Sequence, residues 1–271
     1  MVITLLGIDI IYDRIYSINR RSKMTTSTRR VALLNDVSTY CGPDLARLLA
    51  KAGHDLVVGK ASDELIAELE GLGAAVVNVP DGARARTAED FQAFVQAGLD
   101  RFGRIDTAAM FSGHVIVGRF LDSTVEDLQK VMHGCVEQPY HFLKAVLPVM
   151  EAQLDGQILI ITSASAARPT FGAPLYSSAR AAGTMLARNV AEEFVRKNIQ
   201  VNVVGTNFMD FPEFLRATGA NDPEVRAKIE EQVPMRRLGG VTEFAHFCLP
   251  YVDGTSRFAT GQATWFAGGW A

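Results

Sequence analysis

A serine at position 163, a tyrosine at 176 and an arginine at 180 form a set that could move a proton. A phenol has a pKa near 10 in an open chain and is a poor base at neutral pH. A cation held within about 4–6 Å favours the phenolate, and arginine keeps its charge throughout the working pH range of a protein. Tyr176 and Arg180 are four positions apart, so on a helix they share one face. The hydroxyl of Ser163 could then hold a substrate oxygen while Tyr176 takes its proton. The same residues also have a plain reading, because Tyr–Arg pairs occur on solvated helix faces and serines end many strands. What separates the two readings is whether the chain builds elements that bring the three side chains together.

The pattern of apolar runs predicts that it does. Short runs without alternation, at 31–35, 55–59, 74–79, 105–111, 157–163, 199–205 and 262–269, read as parallel strands buried on both faces. Between them lie helical periodicities at 43–53, 63–73, 88–103, 124–151, 174–197 and 241–251, with a loop and a helix within 206–236. Strands alternating with helices imply βαβ units and an α/β fold with a doubly wound parallel sheet, Rossmann-like. Right-handed crossovers put the strand C-termini along one edge, where ligands bind. Ser163 falls at such a strand end, and Tyr176 and Arg180 fall in the next helix. Gly134 and Pro139 interrupt the periodicity of 124–151 and predict a kink or junction there. No linker or repeat divides the chain, so residues 24–271 read as one domain. Residues 1–23, apolar at the start and basic at the end, read as an N-terminal extension outside the core. They have neither the order of a signal peptide nor the length of a membrane span.

The turn after the first strand is where a fold of this kind cradles a pyrophosphate on bare glycine backbone. A TGxxxGxG pattern would serve; this chain has NDVSTYCG at 35–42. Asp36 brings a negative charge where two phosphates would sit, and Tyr40 puts a ring where backbone should be exposed. The second strand ends in Gly59 rather than in an acid that could hold a ribose hydroxyl, and Lys60 after it does not remove the ring of Tyr40.

The strand layout, the Ser–Tyr pair and the ending FATGQATWFAGGW resemble the short-chain dehydrogenase/reductase superfamily over almost all of residues 29–271. In that superfamily the fourth residue after the tyrosine is normally lysine; here it is Arg180. The chain is more similar to one offshoot, the halohydrin dehalogenases, which carry Ser, Tyr and Arg at this spacing and an aromatic two residues before a glycine in the first loop. Tyr40 and Gly42 match that loop, whereas Asn35 stands where threonine is usual. The resemblance implies an enzyme without a cofactor that turns a vicinal halohydrin into an epoxide and halide. In reverse it opens epoxides with small anions such as halide, azide, cyanide or nitrite. Ser163, Tyr176 and Arg180 would be catalytic. Tyr40 with Thr206, Asn207, Phe208 and Met209 of the loop after the sixth strand would line the halide pocket, although Phe208 and Met209 equally suit core packing. The superfamily also pairs its long helix with a copy, which implies a homo-oligomer, expected as a tetramer. Two alternatives stay open: an NADP-dependent reductase with a degenerate loop, and a non-catalytic sensor on the same fold.

Composition narrows the field further. A net charge of −3 over 271 residues gives no electrostatic case for nucleic acid or an anionic membrane. Three cysteines without paired spacing read as free thiols of a cytoplasmic protein, and five scattered histidines make no metal motif.

Overall fold

The computed structural model describes residues 29–271. The extension expected over 1–23 and the domain start at 24 lie outside the described residues. Seven strands form one parallel sheet: β1 (Arg30–Leu34), β2 (His54–Gly59), β3 (Val76–Val79), β4 (Thr107–Phe111), β5 (Gly156–Ser163), β6 (Ile199–Thr206) and a last strand, Ala263–Phe266. Their spatial order is β3-β2-β1-β4-β5-β6 and then the last strand at the edge. The strand order reverses between β1 and β4, so a crevice opens there beyond the strand C-termini. The doubly wound sheet anticipated from the apolar runs is the observed fold.

Helices cover both faces. α1 (Gly42–Lys51) and α2 (Asp63–Gly71) lie on one side, with α3 (Ala88–Phe102) on the other. The starts of these helices are written locally. Ser62 accepts from the Leu65 amide at 3.3 Å to open α2. Thr87 and Asp90 form a reciprocal capping box at the start of α3, and Thr124 and Asp127 form one at the start of α4 (Val125–Met132). Two apolar clusters result. One gathers Phe91, Phe94, Phe102 and Phe142 with the inner sides of the central strands. The other gathers Leu45, Leu49, Phe244 and Cys248 against the opposite face. Burial of a single such side chain contributes roughly 1.5–3 kcal/mol, so the two layers fix the sheet before any polar group is placed.

The helical stretch expected over 124–151 breaks where the glycine and proline foretold. α4 ends at Met132, a π-turn covers His133–Glu137, and α5 (Gln138–Gln153) follows with Pro139 in its first turn, where a missing N–H costs little. Gly134 has a packing reason: a Cβ there would lie 2.7 Å from the main-chain nitrogen of His114. The π-turn therefore presses directly on the loop after β4. α6 (Pro174–Phe194) packs beside it and starts with a proline at its first turn.

Beyond β6 the chain is more elaborate than a loop and one helix. Met209–Asp210 (β7) pairs in parallel with Gly239–Gly240 (β8), and between them sit α7 (Pro212–Thr218) and α8 (Pro223–Glu230). α9 (Val241–Cys248) then packs on α1, and Ala263–Phe266 (β9) completes the sheet along β6. No described helix is long and apolar enough to cross a membrane, and among the described residues no cluster of His, Cys, Asp and Glu could hold a metal.

Candidate active site

β5 delivers Ser163 to the crevice edge, directly beside Thr206 of β6 in the strand register. The Ser163 hydroxyl accepts from the Ser165 amide at 3.1 Å. Its own hydrogen has two acceptors to choose from, Ser165 Oγ at 3.1 Å and the Thr206 carbonyl at 3.3 Å. The side chain is thus aimed by backbone on both sides, and its hydrogen can be redirected to a ligand.

Tyr176 and Arg180 stand one turn apart on α6, both buried, at 9 % and 7 % exposure. The guanidinium carbon lies 5.1 Å from the Tyr176 ring centroid. Arg180 Nη2 donates to the Ser112 carbonyl at 2.7 Å, just past the end of β4. Gly113, at φ +137°, leaves the room: a Cβ there would run into Arg180 Nη2. Among the described residues Arg180 Nε has no hydrogen-bond partner. Burial alone disfavours the charge on Arg180. The Tyr176 phenol beside it, with the Cys135 thiol and the Tyr40 phenol, outweighs burial and holds its pKa above the usual arginine value.

Tyr40 is the unexpected centre of the first loop. It adopts φ +57°, left-handed backbone that a bulky residue takes only when its surroundings impose it. The ring turns inward, 4.8 Å from Phe211 and 5.6 Å from Phe244 between centroids. Its hydroxyl donates to Thr206 Oγ1 at 2.7 Å. Burial pushes the Tyr40 phenol well above its ordinary pKa, so it stays a protonated donor. A single hydrogen bond thereby ties the loop after β1 to the end of β6 across the crevice. Beside it, the Asp36 carboxylate accepts from the Ser38 amide at 2.8 Å and from the Ser38 hydroxyl at 2.7 Å.

The remaining residues expected around a halide take different places. Thr206 meets Tyr40 and Ser163, as described. Asn207 and Phe208 line a cleft of about 210 Å³ with Val233, Met235, Trp265 and the glycines 268–269. None of Ser163, Tyr176 or Arg180 lines that cleft. Met209 is 2 % exposed and belongs to the core cluster on the α1 face. A second, smaller cleft of about 150 Å³, lined by Ile116, Val117, Pro174 and Leu175 among others, opens at the start of the helix that carries Tyr176.

Three contributors escaped the sequence reading. Asn35 clamps the ends of β1 and β4, accepting from the Phe111 amide at 2.7 Å and donating to its carbonyl at 3.1 Å. The next residue, Ser112, supplies the acceptor for Arg180, and Gly113 the space. A buried amide ending an apolar run is the one hint that Asn35 gave; for Ser112 and Gly113 there was none.

A dinucleotide, which this fold commonly holds, does not fit the residues of the first loop. Its phosphates need free main-chain N–H groups. Here the Asp36 carboxylate already occupies the Ser38 amide. The space in front of β6 is crossed by the Tyr40–Thr206 bond.

Comparison with known proteins places this geometry in context. Residues 41–271 match the family model described as Enoyl-(Acyl carrier protein) reductase. The chain is 29 % identical over 252 residues to Oxidoreductase UcpA of Salmonella typhimurium, covering 89 % of this chain and 94 % of that protein. It is 26 % identical over 252 residues to the 2,5-dichloro-2,5-cyclohexadiene-1,4-diol dehydrogenase LinX of Sphingobium indicum, covering 89 % and 96 %. Among solved structures, one described as a dehalogenation enzyme superposes with a TM-score of 0.78 at 25 % identity, over 90 % of this chain and 98 % of that one. A levodione reductase superposes with the same TM-score at 22 % identity, a likeness of fold alone. The curated relatives carry oxidoreductase and dehydrogenase names, which favours the reductase alternative over the dehalogenase expectation. The structural likeness does not separate them.

Proposed function

Because the chain belongs to the enoyl-(acyl carrier protein) reductase family of the short-chain dehydrogenase/reductase superfamily, we propose that it is an enzyme on a small hydroxyl- or carbonyl-bearing substrate, and specifically a halohydrin dehalogenase that works without a nucleotide. The observation that carries this reading is the Tyr40–Thr206 hydrogen bond, together with the Asp36 carboxylate on the loop amide.

In this reading Ser163 and Tyr176 hold the hydroxyl of a vicinal halohydrin. Tyr176, beside Arg180, takes its proton. The alkoxide oxygen attacks the neighbouring carbon; a C–O bond forms as the carbon–halogen bond breaks, and halide leaves with the bonding pair. The proton on Tyr176 passes to solvent. Intramolecular attack needs orientation and deprotonation and no redox partner. The permanent charge of Arg180 would offset negative charge that develops there during proton transfer, in a buried place where an unpaired anion is costly. In the reverse direction Tyr176 returns a proton to the epoxide oxygen while halide, azide, cyanide or nitrite opens the ring. The anion would rest against Tyr40 and Thr206, whereas Asn207 and Phe208 line the separate cleft and Met209 stays in the core. The cleft at Val117 and Leu175, which Arg119, Asp122 and Asp127 also line, would take the rest of a small substrate.

A second reading, an NADP-dependent reductase, is favoured by the family model and by the names of the curated relatives. Ser163 and Tyr176 would then face a carbonyl or alcohol. One experiment weighs both. Halide release from a simple halohydrin is followed with no nucleotide present, and binding of NADPH is followed by calorimetry. Halide release without saturable micromolar NADPH binding supports the dehalogenase. Nucleotide binding with carbonyl reduction and no halide release supports the reductase, and neither activity would point to the sensor.

For assembly we expect a homotetramer. α6 carries the small residues SSARAAGTMLA at 177–187, and Val125, Leu128, Tyr140 and Met185 are exposed on α4, α5 and α6. Light scattering that gave a monomer at working concentration would remove that expectation.

A further inference from the structure

Trp270 lies far along the chain from the residues assigned to catalysis, yet a short series of contacts leads from it to them. Arg168, in the loop five residues after Ser163, stacks its guanidinium 4.7 Å from the Trp270 ring centroid. Its Nη1 also donates to the Trp270 carbonyl at 2.9 Å. The indole also meets Phe208 edge-on, with centroids 5.8 Å apart.

Phe208 is held in left-handed backbone at φ +52°. An aromatic residue in that region is strained and persists only where neighbours over-determine it. Its neighbours here are Trp270, the Phe214 ring at 6.4 Å, and Gly239, whose amide donates to the Phe208 carbonyl at 3.0 Å. Two residues before Phe208 is Thr206, which accepts from Tyr40 through its hydroxyl and from Ser163 through its carbonyl. The Gly268 carbonyl accepts from the Met235 amide at 3.1 Å, so the segment that carries Trp270 is itself anchored to the chain before β8.

We propose that Trp270, clasped by Arg168, is a positioning residue: it holds Phe208 in its strained conformation and so keeps Thr206 in register with Ser163 and Tyr40. This rests on the assignment of catalysis to Ser163, Tyr176 and Arg180, and not on which of the two reactions they perform. A guanidinium over the indole together with an aromatic edge contact gives the contact its specificity, because both are satisfied only by a ring in that place.

The test uses the full chain and a readout that needs no substrate. Amide hydrogen exchange is measured on peptides covering 205–211 and, as a reference, on β5 and the body of β6. In Trp270→Ala the 205–211 segment is expected to exchange about ten-fold faster, the scale on which loss of one stacked ring pair shifts a local opening equilibrium. The β5 reference should be unchanged. Trp270→Phe, which keeps a ring, should stay near the wild type. Arg168→Gln, an exposed change that spares the core, should loosen 205–211 in the same sense. Whichever reaction the wild type performs should fall in kcat/KM in Trp270→Ala and recover in Trp270→Phe. Unchanged exchange at 205–211 in both Trp270→Ala and Arg168→Gln would overturn the proposal. So would equal acceleration throughout the sheet, or a Trp270→Phe variant no better than Trp270→Ala. If the wild type neither releases halide nor reduces a carbonyl, the exchange arm still decides the proposal while the functional reading fails separately.

Discussion

Tyr176 has no substitute for its oxygen. Phenylalanine keeps the ring over Arg180 and removes the only atom there that can accept the substrate proton. Loss of a positioned acid–base group typically costs about 10²–10⁴-fold, and Tyr176→Phe is expected to lose activity on that scale with its thermal midpoint retained. Arg180→Lys separates the two functional readings. A lysine ammonium is a compact charge on a flexible stem and cannot reproduce the planar fork that reaches the Ser112 carbonyl at 2.7 Å. Cofactor-free epoxide formation should therefore weaken. In a reductase the same change restores the residue usual to the superfamily and should raise NADPH-dependent turnover. Measuring both activities in the one variant gives opposite signs for the two readings.

At the scale of elements, the π-turn between α4 and α5 packs closely against both α6, where Gly183 meets the Cys135 carbonyl, and the loop after β4 that receives Arg180. It presses on the loop after β4 because Gly134 has no Cβ to meet His114. Gly134→Ala would ordinarily favour a helix. Here it must displace main chain at His114, and overpacking of this kind costs typically 1–3 kcal/mol. The expected outcome is lower stability in chemical denaturation, with activity reduced further because Ser112 and Gly113 shift with the loop. A Gly134→Ala protein as stable and active as the wild type would show that the close approach is not needed. The loop between β1 and α1 follows a similar logic at its other end. Its backbone is committed to its own side chains, Asp36 on the Ser38 amide and Tyr40 on Thr206, and the resulting shape is self-contained.

For the whole molecule, the edge of the sheet opposite the crevice carries the polar network that holds its strands together. Asp106, fully buried, accepts from the Val31 amide at 2.7 Å and pairs with Arg104. Arg30 and Arg257 both pair with Asp155. His54 lies in the same region at 1 % exposure, its ring interacting with the Leu49 main chain. Burial, and then the Arg30 charge, lower its pKa; a hydrogen bond to the Leu49 main chain, then Asp106 and Asp253, oppose them. A histidine depressed in the folded state binds its proton more readily when unfolded. Stability is then full above the unfolded value of about 6.5 and declines as pH falls below it towards the depressed folded value. Replacing His54 with glutamine should flatten the slope of the denaturation midpoint as pH falls below about 6.5. An unchanged slope would show that His54 takes no part in the acid response.

Much of this was legible in the chain itself. Seven unalternating apolar runs, spaced by helical periods, determine a doubly wound sheet because a strand buried on both faces needs helices over each. The same spacing assigns Ser163 to a strand end and Tyr176 and Arg180 to one helix face, since i and i+4 coincide on any α-helix. Gly134 and Pro139 marked the helix break for reasons that are local. The tertiary structure decided what the open faces meet. That Tyr40 turns inward to Thr206, that Asn35 joins two strand ends and that Arg180 finds the Ser112 carbonyl are contacts across 166, 76 and 68 residues, and Met209 joins a core built from distant segments. No local pattern encodes such pairings, because the partners come together only when the sheet has set its strand order.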